Sequence, residues 1–235
     1  AKNTAPALTV AALALSDGDC LAGEDPVMLA MPADAIMRNV ESFHRAVDTG
    51  RSLAEQGYMV TLGVQPNAPK TGYGYLLKGH PIEIEPGRRD AAPDAAPLEL
   101  AAFTEKPDAE SAKAFVESGD YLWNSGIFMM RGSVWLAALA RFRSDILDAC
   151  RNAYSTAQRD GDFVRLGVEA FLNCPSQSID YAVMEKAAGS RPEASGDADE
   201  GRAAFVGCAV VPLAHSGWSD LGAWSALLEE GMVDE

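Results

Sequence analysis

Val27-Met28-Leu29-Ala30-Met31, followed by Pro32-Ala33-Asp34, is the stretch that decides the fold. Five apolar residues without polar alternation read as a strand covered on both faces, and Pro32 stops it. Beyond it, Val40, Phe43, Val47 and Leu53 recur at near-helical spacing in a charged background. That spacing predicts an amphipathic helix ending near Gly57. Residues 58–64 form a second buried strand of the same kind. Residues 4–15, rich in small helix formers with Pro6 in the first turn, predict a helix ahead of both strands. Helix, strand, helix, strand is the grammar of an α/β fold with a mixed, mostly parallel central sheet flanked by helices.

The later part is more mixed. Strands are predicted over 73–77 and 98–103, separated by a loop rich in Pro, Asp and Ala. A helix follows over 107–118, with acidic residues in its first turn that suit its dipole. Then come a strand over 121–130 and a helical stretch over 133–157 with a break near Ser144. Further helices are expected over 162–172 and 179–187, a mobile loop over 189–202, a last strand over 205–211 and a last helix over 221–229.

Composition narrows the partners. The 235 residues carry 19 Lys and Arg against 34 Asp and Glu, a net charge of −15. A nucleic-acid binder needs a basic face to neutralise phosphates, so that class is excluded. A phosphorylated small molecule would have to be met by a local device: a metal ion, a lysine or a helix N-terminus. Cys20, Cys150, Cys174 and Cys208 are widely spaced, without the CxxC pairs of a zinc site, and a reducing cytoplasm suits them. No apolar run is long enough to cross a bilayer. The apolar start has only Lys2 as a cationic flank and is followed by Asp17 and Asp19, which does not fit a secretory leader.

Asp34 directly follows the carboxyl end of a buried strand, where open α/β sheets bind ligands. A carboxylate there either holds Mg²⁺, a hard cation that shares carboxylates with phosphates, or caps the next helix. Asp220, in Gly217-Trp218-Ser219-Asp220-Leu221-Gly222, offers the same two readings. A second carboxylate approaching the first would complete a divalent site. Thr71-Gly72-Tyr73-Gly74-Tyr75 is not a dinucleotide fingerprint, because its glycines open a strand and not a helix. They are either a plain turn or a place where a ligand nears the backbone. Glu105 can accept from sugar hydroxyls and Lys106 can meet a phosphate, or the two form an exposed ion pair. Asn124 and Gly126 put an amide and a glycine of close approach within one strand. His44, His80 and His215 have no triad context, and the cysteines have no basic neighbour that would mark a nucleophile.

Seven segments occur in order: Asn3-Thr4-Ala5-Pro6-Ala7, Pro32-Ala33-Asp34, Thr71-Gly72-Tyr73-Gly74-Tyr75, Glu105-Lys106-Pro107-Asp108, Trp123-Asn124-Ser125-Gly126-Ile127-Phe128, Ser178-Ile179-Asp180-Tyr181-Ala182-Val183-Met184-Glu185-Lys186 and Gly217-Trp218-Ser219-Asp220-Leu221-Gly222-Ala223-Trp224. As an ordered set they resemble the nucleotidyltransferase domain of the mannose-1-phosphate guanylyltransferases, of the bacterial type whose longer members add a mannose-phosphate isomerase domain. The resemblance implies a Rossmann-like nucleotidyltransferase fold and transfer of GMP from GTP to mannose 1-phosphate, giving GDP-mannose and pyrophosphate with Mg²⁺. It places Asp34 and Asp220 on the metal and Lys106 near the sugar phosphate, the three residues expected to be catalytic. Glu105 and Asn124 would bind mannose hydroxyls, and Gly72, Tyr73 and Gly126 would line the sugar pocket. Asn3 and Thr4 match the turn beside the nucleotide, and Asp180 would order the pocket.

The departures from that pattern carry expectations of their own. The family's glycine-rich signature and the first strand that presents it are not in this sequence, which begins after them. The chain is therefore expected to be a partial domain over 1–235, with 1–65 the remainder of the nucleotide-binding half and 66–235 the sugar-phosphate-binding half. By itself it would be inactive. A sheet edge left unpaired would invite association into a homo-oligomer. Ala35 stands where the family usually has His, and Ala1-Lys2 replace Gly-Arg. Two other readings remain at this stage: a sugar-nucleotide-binding module that does no chemistry, and a related transferase for another sugar or base.

Overall fold

The computed structural model describes residues 2–17, 25–83, 96–190 and 205–220. Along the chain run α1 (Thr4–Ser16), β1 (Val27–Ala30), β2 (Ala35–Ile36), α2 (Val40–Glu55), β3 (Tyr58–Val64), β4 (Gly74–Pro81) and β5 (Leu98–Glu105). They are followed by α3 (Ala109–Ser118), β6 (Tyr121–Arg131), α4 (Gly132–Phe142), α5 (Ser144–Ser155), β7 (Gln158–Asp160), β8 (Phe163–Arg165) and α6 (Val168–Leu172). A π-helical turn (Asp180–Met184) leads into α7 (Glu185–Ala187), and β9 (Gly207–Pro212) and β10 (Ser219–Asp220) complete the set. The chain divides into two compact units. One comprises Ala1–Met28, Ala54–Met59 and Met130–Cys208; the other comprises Leu29–Leu53, Val60–Met129 and Ala209–Glu235.

The first unit is helical. Ala5, Pro6, Thr9 and Ala12 repeat on one face of α1 and are buried, and this face packs on α4 and α5. The side chains there are small, so Ala12 comes within 3.7 Å of where a Cβ on Gly132 would sit. Trp135 is wholly buried in α4. Its indole N–H donates to Thr9 Oγ1 at 3.1 Å, and that hydroxyl donates to the Ala5 carbonyl at 2.7 Å. The expected helix break falls at Arg143, whose guanidinium grips Asp145 with two 2.8 Å hydrogen bonds. That pairing holds the Asp145 carboxyl below its usual range.

The helix expected over 162–172 is corrected. Residues 158–165 form a hairpin, β7 with β8, pairing Gln158 with Arg165 and Asp160 with Phe163. Only Val168–Leu172 is helical. Asp160-Gly161 is turn chemistry, and the short ladder is tied across by the Arg165–Asp160 ion pair at 2.6 Å. The helix over 179–187 is present, but its first turn is π: the Glu185 N–H bonds back to the Asp180 carbonyl. The predicted helix 221–229 and most of the predicted loop 189–202 lie outside the described residues.

The sheet has the order β1-β6-β3-β9-β5-β4, with a further pairing of β4 to β6. β3 with β6, β4 with β5, β4 with β6 and β5 with β9 are antiparallel. These directions make β3 and β9 a parallel pair, so the sheet is mixed. Each of these antiparallel pairings involves β4, β5 or β6; β5 pairs with its predecessor β4, and β6 follows helix α3. The interior residues of β3 and most of β9 are buried, as their unbroken apolar runs predict. In β4 the pleat sends Tyr75 to the α3 side, where it packs with Ala112 and Trp123. Gly74 lies in register with Glu105. α3 is capped by Asp108, whose carboxylate accepts from the Ser111 N–H at 2.7 Å and is thereby held below the usual carboxylate range.

Candidate active site

Gly74, the first residue of β4, faces a confined space. A Cβ there would lie 2.6 Å from Glu105 Oε2, 3.1 Å from the Phe103 ring and 3.3 Å from Asn124 Cβ. Glu105 and Asn124 thus converge on one backbone position from β5 and β6, 19 residues apart in sequence by their numbers. The Glu105 side chain is 11% exposed and sits 3.6 Å from the Lys106 ammonium, which is 58% exposed. The ion pair is thus lopsided: the carboxylate is mostly enclosed and the lysine reaches into solvent. Lys106 leaves β5 with a φ of 48°, and its N–H is tied to the Tyr73 carbonyl at 3.2 Å. A non-glycine residue in that region is strained and stays there only because its surroundings hold it.

Asn124 is fixed from two sides. Its Oδ1 accepts from Thr61 Oγ1 at 2.9 Å and from the Gly126 N–H at 3.2 Å. The oxygen is thus engaged in both bonds, and the NH₂ end carries the amide's donors. Tyr73, in the turn before β4, is edge-on to Trp123 (ring centroids 5.0 Å apart) and to Trp218 (5.7 Å). Gly72 is exposed, with no atom within 4 Å of where its Cβ would be.

The Asp34 and Asp220 segments are joined by a backbone ladder too short to read from sequence. β2 and β10 pair antiparallel, Ala35 opposite Asp220 and Ile36 opposite Ser219. Asp34 is therefore one residue beyond the partner of Asp220. It lies exposed in the bend before β2, outside the strand's pleat. The ladder is extended by the Asn39 N–H donating to the Ser216 carbonyl at 2.8 Å. Gly217 sits against Arg38, whose Cβ is 2.8 Å from where a glycine Cβ would be. Asn39 caps α2 by accepting from the Ser42 N–H at 3.1 Å. The helix-cap role open to Asp34 is thus filled by Asn39.

Asn3, Thr4 and Asp180 belong to the other compact unit. Asn3 caps α1, its Oδ1 accepting from the Thr4 N–H at 2.8 Å. Thr4 Oγ1 accepts from the Ile179 N–H at 2.9 Å, and the Ala5 N–H reaches the Gln177 carbonyl at 3.1 Å. The start of α1 is thereby clamped to the segment that opens the π turn at Asp180.

The nucleotidyl transferase family model matches residues 1–235, the whole chain. This chain belongs to that family. Among curated relatives, it is 42% identical over 234 residues to the mannose-1-phosphate guanylyltransferase of Klebsiella pneumoniae, covering 100% of the chain and 43% of that protein. It is 44% identical over 230 residues to a Salmonella typhimurium mannose-1-phosphate guanylyltransferase, covering 97% and 42% respectively. It is 41% identical over 233 residues to a xanthan biosynthesis protein of Xanthomonas campestris, covering 99% and 42%. The chain thus spans less than half the length of these relatives. A solved Thermus thermophilus structure titled mannose-1-phosphate geranyltransferase matches at a TM-score of 0.70 with 27% identity, covering all of this chain and 56% of that one. A Helicobacter pylori mannose-6-phosphate isomerase shares the fold at a TM-score of 0.69 with 24% identity, covering 93% and 71%. The α/β nucleotidyltransferase fold expected from the sequence is the fold found.

Three features of this nucleotidyl transferase domain escaped the sequence reading: Thr61 as the clamp on Asn124, the β2–β10 ladder and the aromatic frame around Tyr73. Thr61 is the one polar residue in the otherwise apolar interior of β3, and that anomaly is the signal that could have found it. Among the described residues, no helix is long and apolar enough to cross a membrane.

Proposed function

We propose that this nucleotidyl transferase domain makes GDP-mannose, transferring GMP from GTP to mannose 1-phosphate with release of pyrophosphate. The observation that carries the reading is the convergence of Glu105 and Asn124 on Gly74, with Lys106 beside them. The relatives named for this activity, at 42% and 44% identity, supply the choice of sugar and base.

The reaction needs no protein nucleophile. An oxygen of mannose 1-phosphate attacks the α-phosphorus of GTP in line, a P–O bond forms, and the bond to the departing pyrophosphate breaks. Burial pushes the thiols of Cys150 and Cys208 up to about 12, so neither stands as a ready thiolate nucleophile for this transfer in the folded chain. What the chain contributes is positioning and charge. Glu105 accepts from sugar hydroxyls, the Asn124 amide donates to another, and the Lys106 ammonium meets the sugar phosphate. Asn3 and Thr4 present the turn beside the nucleotide, and Asp180 orders the segment clamped to it.

Asp34 and Asp220 fit a Mg²⁺ site by the chemistry of their donors. Two carboxylates on paired backbone segments are the oxygen ligands a hard divalent cation takes together with substrate phosphates. A bound Mg²⁺ supplies neutralisation of charge on the phosphate oxygens. The buried free thiols Cys150, Cys174 and Cys208 suit a reducing compartment, the cytoplasm.

Calorimetric titration with GDP-mannose, with and without Mg²⁺ and beside UDP-glucose, tests the reading. Mg²⁺-dependent binding of GDP-mannose alone is expected; equal binding of UDP-glucose would overturn the assignment of sugar and base. Gly74→Ala gives an independent check. The added methyl displaces the Glu105 carboxylate, so affinity for the sugar ligand is expected to fall roughly tenfold or more, the worth of a charged hydrogen bond of about 1.5–3 kcal/mol. The melting temperature should fall modestly as well, because the methyl also meets the Phe103 ring at 3.1 Å and Asn124 Cβ at 3.3 Å. Unchanged affinity would remove Glu105 from the sugar site.

A further inference from the structure

Cys150 in α5 and Cys174 after α6 are 24 positions apart, yet their sulfurs lie 3.8 Å from each other. Both side chains are buried, at 0% and 1% exposure. Cys150 Sγ also lies 3.8 Å from the Pro6 carbonyl and within hydrogen-bonding reach of the Thr9 side chain, and Cys174 Sγ lies 3.5 Å from the Pro175 carbonyl. We propose that this pair is a redox modification site, a reversible dithiol–disulfide couple that staples α5 to the segment following α6. Closing the bond needs the sulfurs to approach from 3.8 Å to about 2.05 Å, within reach of side-chain rotation and a small shift of the segment.

The oxidant is a small-molecule disulfide. The thiolate of one cysteine attacks it, forming a mixed disulfide and releasing one small thiol. The second protein thiolate then attacks the protein sulfur of that mixed bond, forming Cys150–Cys174 and releasing the second small thiol. Two protein thiols are oxidised and one external disulfide is reduced. Burial raises both thiol pKa values, so the exchange waits on local opening. The segment that must open is lightly anchored: α6 has five residues, and Val168 and Leu172 are 70% and 65% exposed. The bond would fix the chain next to Gln177 and Ile179, the residues clamped to the start of α1.

The test treats the full chain with oxidised glutathione in native buffer, then maps it with trypsin. A disulfide joining peptide 144–151 to peptide 166–186 is expected, with two of the four thiols lost and both restored by dithiothreitol. The melting temperature should rise by roughly 5–10 °C, as expected for a loop of this length. Amide exchange at Ile179 should slow. Cys174→Ser should abolish the linkage and the rise in melting temperature together. The proposal is overturned if the linked peptides form only in urea, or if Cys150 or Cys174 pairs with Cys20 or Cys208 instead. The mapping reads wild-type chain alone, and its result does not depend on which nucleotide or sugar the domain takes.

Discussion

In an intact homologue, the Asp220→Asn change is expected to lower nucleotidyl transfer by about 10²–10³-fold, the usual cost of losing a key electrostatic contact at such a site. The substitution keeps the size of the side chain and removes its charge. Asp220 pairs with Ala35 through backbone groups, so the ladder that positions Asp34 should survive. Two measurements separate the outcomes: pyrophosphate release from GTP and mannose 1-phosphate, and the Mg²⁺ dependence of GDP-mannose affinity. A real metal ligand loses both while the melting curve stays in place. Near-normal turnover with an unchanged Mg²⁺ requirement would dismiss the carboxylate pair. Asp34→Asn should behave alike, and the double variant should fall little further, because the two act as one unit.

Trp135→Ala carries the largest expected effect on stability, a loss of about 3–5 kcal/mol. The ring is wholly enclosed in the helical unit, and its N–H is bonded to a hydroxyl in α1. Truncation leaves a cavity that the helices cannot close, since α1 already meets Gly132 through Ala12 and has no long side chain there to move in. Urea unfolding would show it as a lower midpoint at constant slope. Trp135→Phe should recover most of the loss, because Thr9 keeps its bond to the Ala5 carbonyl. A loss below about 1 kcal/mol in the Ala variant would mean that α1 is not held by this contact.

How much was legible follows the range of the interactions involved. β3 and β9 were readable because a strand buried on both faces writes itself as an unbroken apolar run. α1, α2 and α3 were readable from spacing and first-turn residues, and the break at Arg143 from the change in pattern around Ser144. The hairpin at 158–165 was missed since its strands are three residues each and fully exposed. With neither face buried, no alternation marks them. Its one local sign, Asp160-Gly161, lies just ahead of the stretch expected to be helical from Asp162. β2 and β10 were missed for a related reason: two residues carry no period, and their pairing joins positions far apart in the chain.

By itself the sequence determined the α/β class, the order of the longer elements, the acidic charge balance and the residue types available for phosphate and sugar chemistry. Those properties rest on local periodicity, net charge and side-chain inventory, which need no knowledge of what touches what. Only the tertiary structure decided that Glu105 and Asn124 face the same glycine, that Thr61 fixes the Asn124 amide, that Asn39 and not Asp34 caps α2, and that Asp220 pairs with Ala35, the residue after Asp34. Each of these is set by strand register or by a hydrogen bond between distant segments. Register is a property of two strands at once, fixed by how both bury their faces, and neither strand's own sequence records it.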